Sequence, residues 1–491
     1  MGGNMNQLSK RILCLIVIGL ALLAAPAWAN ETDKAQAIDQ LMKVYHDYGL
    51  FNGSVLVAEK GKVILKKGYG LANMEWNIPN TADTRFRLGS ITKQFTSMVI
   101  MQLVELGRIR LDAPMSTYLP DYRKDTGNKV TIHQLLNHTS GIPSYTGIPG
   151  FFANDSRDPY TADDFIRKYC SKDLEFAPGS KFKYNNSGYF ILGAVIEHVT
   201  GKPYATVLRE NIFEPLGMKA SGYDLHRPLI HKRAGGYEMG PDGYVNAPYL
   251  DMTIPYAAGS LYSTVEDLYT WDRALYTDKL LSPKMKAKLF TPYMKGYGYG
   301  WGMGTRKIGD REVHSIGHGG GINGFNTLIT RYVDDQHLVV LLNNTGGTKL
   351  GEMTAQIANV LYGEPVIPPK KPAARLLMKA YTDEGVTGGD ALFAKLKTDG
   401  GYDLSETMLN GLGYALLGRN KVAEAISIFT KNTELYPDSA NTWDSLAEGY
   451  LKKGDKEKAI RYYKKTLEIN ANNPGAVEHL KKLGVTWEKK P

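Results

Sequence analysis

Cysteine is nearly absent: the 491-residue chain has 2, Cys14 and Cys170. Cys14 lies inside an apolar N-terminal run, so a chain that loses this run keeps one thiol and can form no internal disulfide. A disulfide-stapled scaffold is thereby excluded. Cys170 stands beside Tyr169, Ser171 and Lys172 with no neighbouring histidine to activate it, and reads as structural. Excess charge of one sign is scarce too: 59 Lys and Arg against 50 Asp and Glu leave +9. The densest basic runs lie near the C-terminus and are interleaved with acids, as on a solvated helical surface. A nucleic-acid binder would gather its cations on one face, so no nucleic-acid partner is expected. After the N-terminal run no stretch approaches the roughly 20 apolar residues of a membrane-spanning helix. His-Glu-x-x-His is missing, and the Gly run that contains His318 does not suit a helix carrying His314 and His318 as ligands. No metal and no cofactor is expected.

The N-terminus has the marks of an export signal. Lys10 and Arg11 precede the apolar run Ile12 to Ala25, and Ala27-Trp28-Ala29 offers small residues for cleavage after Ala29. The expected location is secreted or periplasmic, with an uncleaved anchor as the alternative. Helical periodicity follows from Lys34 to Tyr48. Then come two strand-like runs, Gly53–Ala58 and Val63–Lys67, split by Glu59-Lys60-Gly61-Lys62. A second hairpin is expected to join Phe325–Tyr332 to His337–Asn343, and Met353–Tyr362 closes as a helix. Early strands, a helical middle and late strands predict an α/β domain whose single antiparallel sheet is assembled from both ends.

The expected boundaries are a signal at 1–29, a first domain at 30–363, a Pro-rich linker at 364–374 and a helical region at 375–491. Pro365, Pro368, Pro369 and Pro372 stiffen the linker. Beyond it a 34-residue period carries Leu409 to Trp443, Leu412 to Leu446, Leu416 to Tyr450, Ala425 to Ala459 and Phe429 to Tyr463. That is the tetratricopeptide period. It predicts an all-α array of two repeats and a capping helix at Asn473-Pro474, leaning on its neighbour; an ordinary helical bundle is the alternative.

Ser-x-x-Lys sets a hydroxyl and an amine one helical turn apart, where a buried lysine can take the hydroxyl proton. The pattern occurs twice, at Ser90/Lys93 and at Ser180/Lys183. Ser90 opens an apolar helix, where backbone N–H groups favour an oxyanion. Ser180 follows Pro178-Gly179 in a turn and reads as structural. Two more segments can serve the same chemistry. Tyr184 and Asn186 are expected side by side on an extended segment, the phenol beside the lysine with a pKa brought below its usual 10 or so. Gly317-His318-Gly319-Gly320-Gly321 is expected to precede a strand, where glycines admit a substrate backbone and a free N–H.

In this order Ser90-x-x-Lys93, Tyr184-x-Asn186 and His318-x-Gly320 resemble the serine β-lactamase-like superfamily: class C β-lactamases, D-alanyl-D-alanine carboxypeptidases, D-aminopeptidases and related esterases. Phe86-Arg87-Leu88-Gly89, Leu135-Leu136-Asn137-His138-Thr139-Ser140-Gly141 and Ala258-Gly259-Ser260 add to the resemblance, which covers about residues 35–362. It implies a site between an antiparallel sheet and a helical subdomain. There Ser90 would be acylated, Lys93 and Tyr184 would move protons, and Asn186 would orient them. The backbone amides of Ser90 and Gly321, with Gly320 beside them, would line the oxyanion hole. Many β-lactamases carry lysine where this chain has His318, which is mostly neutral at pH 7. An ester, an amide or a D-amino-acid peptide is therefore the expected substrate ahead of a β-lactam. His138 is expected to brace its loop. The run His318 to Gly321 also looks like a lipase-type oxyanion motif, but no Gly-x-Ser-x-Gly follows it. The alternative from another class is a non-catalytic module that binds peptidoglycan-like peptides while the repeats recruit a protein partner.

Overall fold

The computed structural model describes residues 31–240 and 243–487; the segment read as an export signal lies outside them. In chain order the main strands are β1 (Gly53–Glu59), β2 (Lys62–Tyr69), β3 (Tyr237–Gly240), β4 (Gly243–Asn246), β5 (Gly302–Ile308), β6 (Arg311–Ile322), β7 (Phe325–Tyr332) and β8 (His337–Asn343). Six of them form the antiparallel sheet β5-β6-β7-β8-β1-β2, and β3 with β4 makes a separate hairpin. The first and last strands meet as expected: β1 pairs with β8 from Gly53↔Asn343 to Ala58↔Leu338.

β1 and β8 are buried along their whole length. Covering both faces is why they read as continuous apolar runs without polar alternation. Val55, Val57, Val339 and Leu341 pack under helices α1 (Glu31–Asp47) and α4 (Leu350–Tyr362). Leu56, Ala58, Leu338, Val340 and Leu342 face the helical middle of the chain. Each valine or leucine so buried contributes about 1.5–3 kcal/mol.

Helix α2 (Thr92–Glu105) runs through that second core and is buried from Thr92 to Met101. Phe95 stacks on Trp271 with ring centroids 4.4 Å apart, and the Trp271 indole N–H donates to Gln94 Oε1 at 3.0 Å. Helix α3 (Asn186–Thr200) lies beside α2 and the short helical turn Tyr256–Gly259. Among the described residues no helix is long and apolar enough to cross a membrane.

The helical region has cores of its own, built from Ala373 onward. The Pro-rich segment ends in a short parallel pairing of Lys371–Pro372 with Tyr402–Asp403, which joins it to the repeats instead of leaving it a free spacer. Then follow α5 (Ala374–Asp399), α6 (Glu406–Gly418), α7 (Val422–Leu435), α8 (Ala440–Lys453), α9 (Lys456–Ile469) and α10 (Pro474–Lys482). α5 is broken at Gly385, whose φ of 66° and ψ of −159° no helix accommodates. The starts of α6 and α7 recur 34 residues later in α8 and α9. The small and large positions Ala425/Ala459 and Phe429/Tyr463 are fully buried in both repeats.

Candidate active site

Ser90 sits in the 3-10 turn Gly89–Ile91 that feeds directly into α2. Gly89 is left-handed (φ +54°), and a Cβ there would stand 2.9 Å from Gly321 N and 3.0 Å from Gly321 O. Only glycine allows strand β6 this close to the serine turn. Lys93, one helical turn on, is fully buried. Its Nζ lies 2.9 Å from each of Ser90 Oγ, Asn186 Oδ1 and the Ala258 carbonyl oxygen. None of these partners carries a negative charge, and burial lowers the Lys93 pKa well below the usual lysine range. A neutral amine has two N–H donors and one lone pair. Asn186 Oδ1 and Ala258 O accept the two N–H, and the lone pair is left facing the Ser90 hydroxyl. The orientation of Asn186 is set from outside, since its Nδ2 donates to Thr146 Oγ1 at 3.2 Å. Ala258 is presented by a turn that starts with Tyr256 in a left-handed conformation (φ 41°).

The expected pairing of Tyr184 and Asn186 on an extended segment is corrected by the structure. Asn185 is the extended N-cap of α3, its Oδ1 accepting from Gly188 N, and Asn186 already lies in the first helical turn. The two side chains still meet Lys93: its Nζ is 5.0 Å from the Tyr184 ring centroid. The expected lowering of the Tyr184 pKa is reversed. Desolvation pushes the phenol up, more than its interaction with Ser90 brings it down. One face of Tyr184 is open, with 38% of the residue exposed. Its hydroxyl is thus a proton donor beside Ser90 at neutral pH.

His138 closes the site from behind. It is buried, with its ring 4.3 Å from that of Tyr184, and its Nδ1 accepts from Asn185 N at 3.1 Å. Burial keeps it neutral.

The glycine run lies within β6 and does not precede it. The tight pair Ile322↔Phe325 closes the β6–β7 hairpin. Antiparallel alternation then turns the Gly320 N–H into β7 and the Gly321 N–H away from it. Strand β5 ends at Gly302 opposite Gly317, so Gly321 projects past that edge toward Ser90. Of the two glycines, Gly321 can serve with Ser90 as an anion-binding N–H. Gly320 is a packing residue: a Cβ there would fall 1.9 Å from Leu88 O.

His318 Nδ1 donates to Gly319 O at 2.6 Å, and Nε2 accepts from the Tyr297 hydroxyl at 2.8 Å. Both ring nitrogens are therefore satisfied in the neutral form, and burial, with a smaller contribution from Lys93, lowers the pKa to about 4.

Ser90, Asn186 and Gly321 open onto a cavity of about 360 Å³. Ser180 is elsewhere, exposed, with its hydroxyl donating to Ala177 O at 2.6 Å; Lys183 pairs with Glu175. Cys170 is buried and its thiol is pushed up to about 12. Sequence reasoning missed Thr146, the Ala258 carbonyl as a lysine acceptor, and Glu238 on the cavity wall. A backbone acceptor and a single strand glutamate leave no motif by which to find them.

Comparison with known proteins agrees with this geometry. The Beta-lactamase family matches residues 35–362, and the tetratricopeptide repeat family matches 440–473. The chain is 30% identical over 325 residues to the teichoic acid D-alanine hydrolase of Staphylococcus aureus (strain NCTC 8325 / PS 47), covering 65% of this chain and 75% of that protein. A solved D-amino acid amidase from Ochrobactrum anthropi SV3, complexed with L-phenylalanine amide, superposes with a TM-score of 0.59 at 26% identity, covering 67% and 99% of the two chains. The octameric penicillin-binding protein homologue from Pyrococcus abyssi gives 0.60 at 27%, covering 71% and 81%. The chain belongs to the β-lactamase family of serine hydrolases and carries a tetratricopeptide repeat behind the hydrolase fold.

Proposed function

We propose that this protein is an exported hydrolase that cleaves an ester, an amide or a D-amino-acid peptide through an acyl-enzyme on Ser90. The observation that carries the reading is the fully buried Lys93, its pKa lowered by burial, with Nζ 2.9 Å from Ser90 Oγ. Ser90 would lose its proton to Lys93 Nζ as Oγ bonds to the substrate carbonyl carbon. The carbonyl π electrons would move onto oxygen, facing the N–H groups of Ser90 and Gly321. Collapse of this adduct would break the bond to the leaving group, which takes the proton held by Lys93, relayed through the Tyr184 hydroxyl. Water, activated by the same lysine, would then release the acid and restore Ser90.

A neutral His318 gives the site no fixed cation for the carboxylate of a β-lactam, which supports a substrate without a carboxylate. The relatives named for a D-alanine hydrolase and a D-amino acid amidase support the same direction. Export is supported by the N-terminal signal pattern, and the repeats are read as a surface for a protein partner. Turnover of a panel of aryl esters and D-amino-acid amides tests the reading. Hydrolysis that is lost in Ser90→Ala and retained in Ser180→Ala is expected. Hydrolysis that survives Ser90→Ala would contradict it.

A further inference from the structure

The cavity beside Ser90 is one-sided in charge. Among the described residues that line it there is no lysine, arginine or histidine, and one carboxylate, Glu238. Glu238 projects from β3 on the face opposite the buried Tyr237, and its Cγ lies near the Gly346 turn, where a Cβ would approach it to 3.3 Å. Among the described residues its side chain has no ion-pair or hydrogen-bond partner. Glu238 is half-buried, and it contrasts with the two fully buried aspartates of the domain. Asp224 is held by Arg87 and Arg233, and Asp272 by Arg273 and Arg331. Leu250 and Ile254 make another part of the cavity wall apolar.

We propose that Glu238 selects the substrate, and that this substrate is an ester or amide bearing an ammonium group and no carboxylate. This rests on the hydrolase reading of Ser90. A carboxylate entering the cavity would meet Glu238 and find no cation, whereas an ammonium would find an unpaired partner with no arginine competing for it. A charge-assisted contact of this kind is worth roughly tenfold or more in affinity. Glu238 and Ser90 line the same cavity from different elements, Glu238 beside the Gly346 turn and Ser90 in the turn beside Gly321, so the ammonium acts on binding.

The test uses aryl esters of matched chain length that end in an ammonium, a neutral isostere or a carboxylate, with the full chain as wild type, Glu238→Gln and Glu238→Lys. Wild type should prefer the ammonium ester over the neutral one by about tenfold or more in kcat/KM, mainly through KM, and the preference should shrink with salt. Glu238→Gln should bring that ratio close to one, and Glu238→Lys should turn the preference toward the carboxylate. An unchanged ratio in Glu238→Gln, or a wild type that favours the carboxylate, overturns the assignment alone. If no ester is turned over and Ser90 takes no fluorophosphonate label, the hydrolase reading falls and this one falls with it.

Discussion

Replacing Lys93 by methionine tests the charge state on which the chemistry depends. The two side chains are similar in length, so Lys93→Met keeps the packing of α2 while removing the titrating group. In the fold Lys93 is buried without an acid, which holds its pKa well below the usual lysine range; in the unfolded chain it titrates normally. Between those two values the unfolded state binds one proton more than the native state. Stability of the wild type must therefore rise with pH through that window, by about 1.4 kcal/mol per pH unit. It is full above the unfolded pKa and is lost as pH falls toward the folded one. The Lys93→Met protein lacks this contribution, and groups common to both cancel in the difference. Urea unfolding of both proteins, followed by tryptophan fluorescence between about pH 8 and 10, should show the wild type gaining about 1.4 kcal/mol per unit relative to the variant. The variant leaves Asn186 Oδ1 and Ala258 O without their donor, which costs about 1–3 kcal/mol each and does not vary with pH in this window. Parallel pH profiles would mean that Lys93 stays protonated in the fold, and the general-base argument would fail.

Tyr184→Phe should cut turnover by roughly 100-fold or more, because the raised phenol donates a proton and phenylalanine cannot; a near-wild-type rate would remove it from the relay. An acid limb of kcat/KM near neutral pH should persist in His318→Gln, since a histidine lowered to about 4 is already neutral there; loss of that limb would move the titration to His318. Gly320→Ala should lower stability by about 1–3 kcal/mol or more in denaturant melts, given a Cβ placed 1.9 Å from Leu88 O. Cys170, buried and pushed up to about 12, should resist thiol reagents in native buffer and react once the chain is unfolded.

Much of the fold was legible because its signals are local. The apolar runs of β1 and β8 and the turn between β7 and β8 could be read directly, and so could the 34-residue period of the repeats. Ser90 and Lys93 were legible for the same reason, since one helical turn fixes their separation. Tyr184 and Asn186 were found for a partly wrong reason. Both reach Lys93, but Asn185 caps α3 and puts Asn186 on the helix, which propensity at a strand-to-helix join does not decide. The sign of the Tyr184 shift was missed because it depends on desolvation of the phenol, a consequence of burial that spacing cannot convey. The glycine run was placed outside its strand because glycine is disfavoured in strands unless another backbone approaches closely, as the Gly89 turn does. Glu238 arrives from a distant hairpin, and no pattern around it links it to Ser90.

The most direct test of the central claim is intact mass after exposure of the protein to a fluorophosphonate, with Ser90→Ala and Ser180→Ala as controls. The account predicts a single adduct on the wild type and on Ser180→Ala, and none on Ser90→Ala. A folded wild type that takes no adduct, or an adduct that persists in Ser90→Ala, would contradict it.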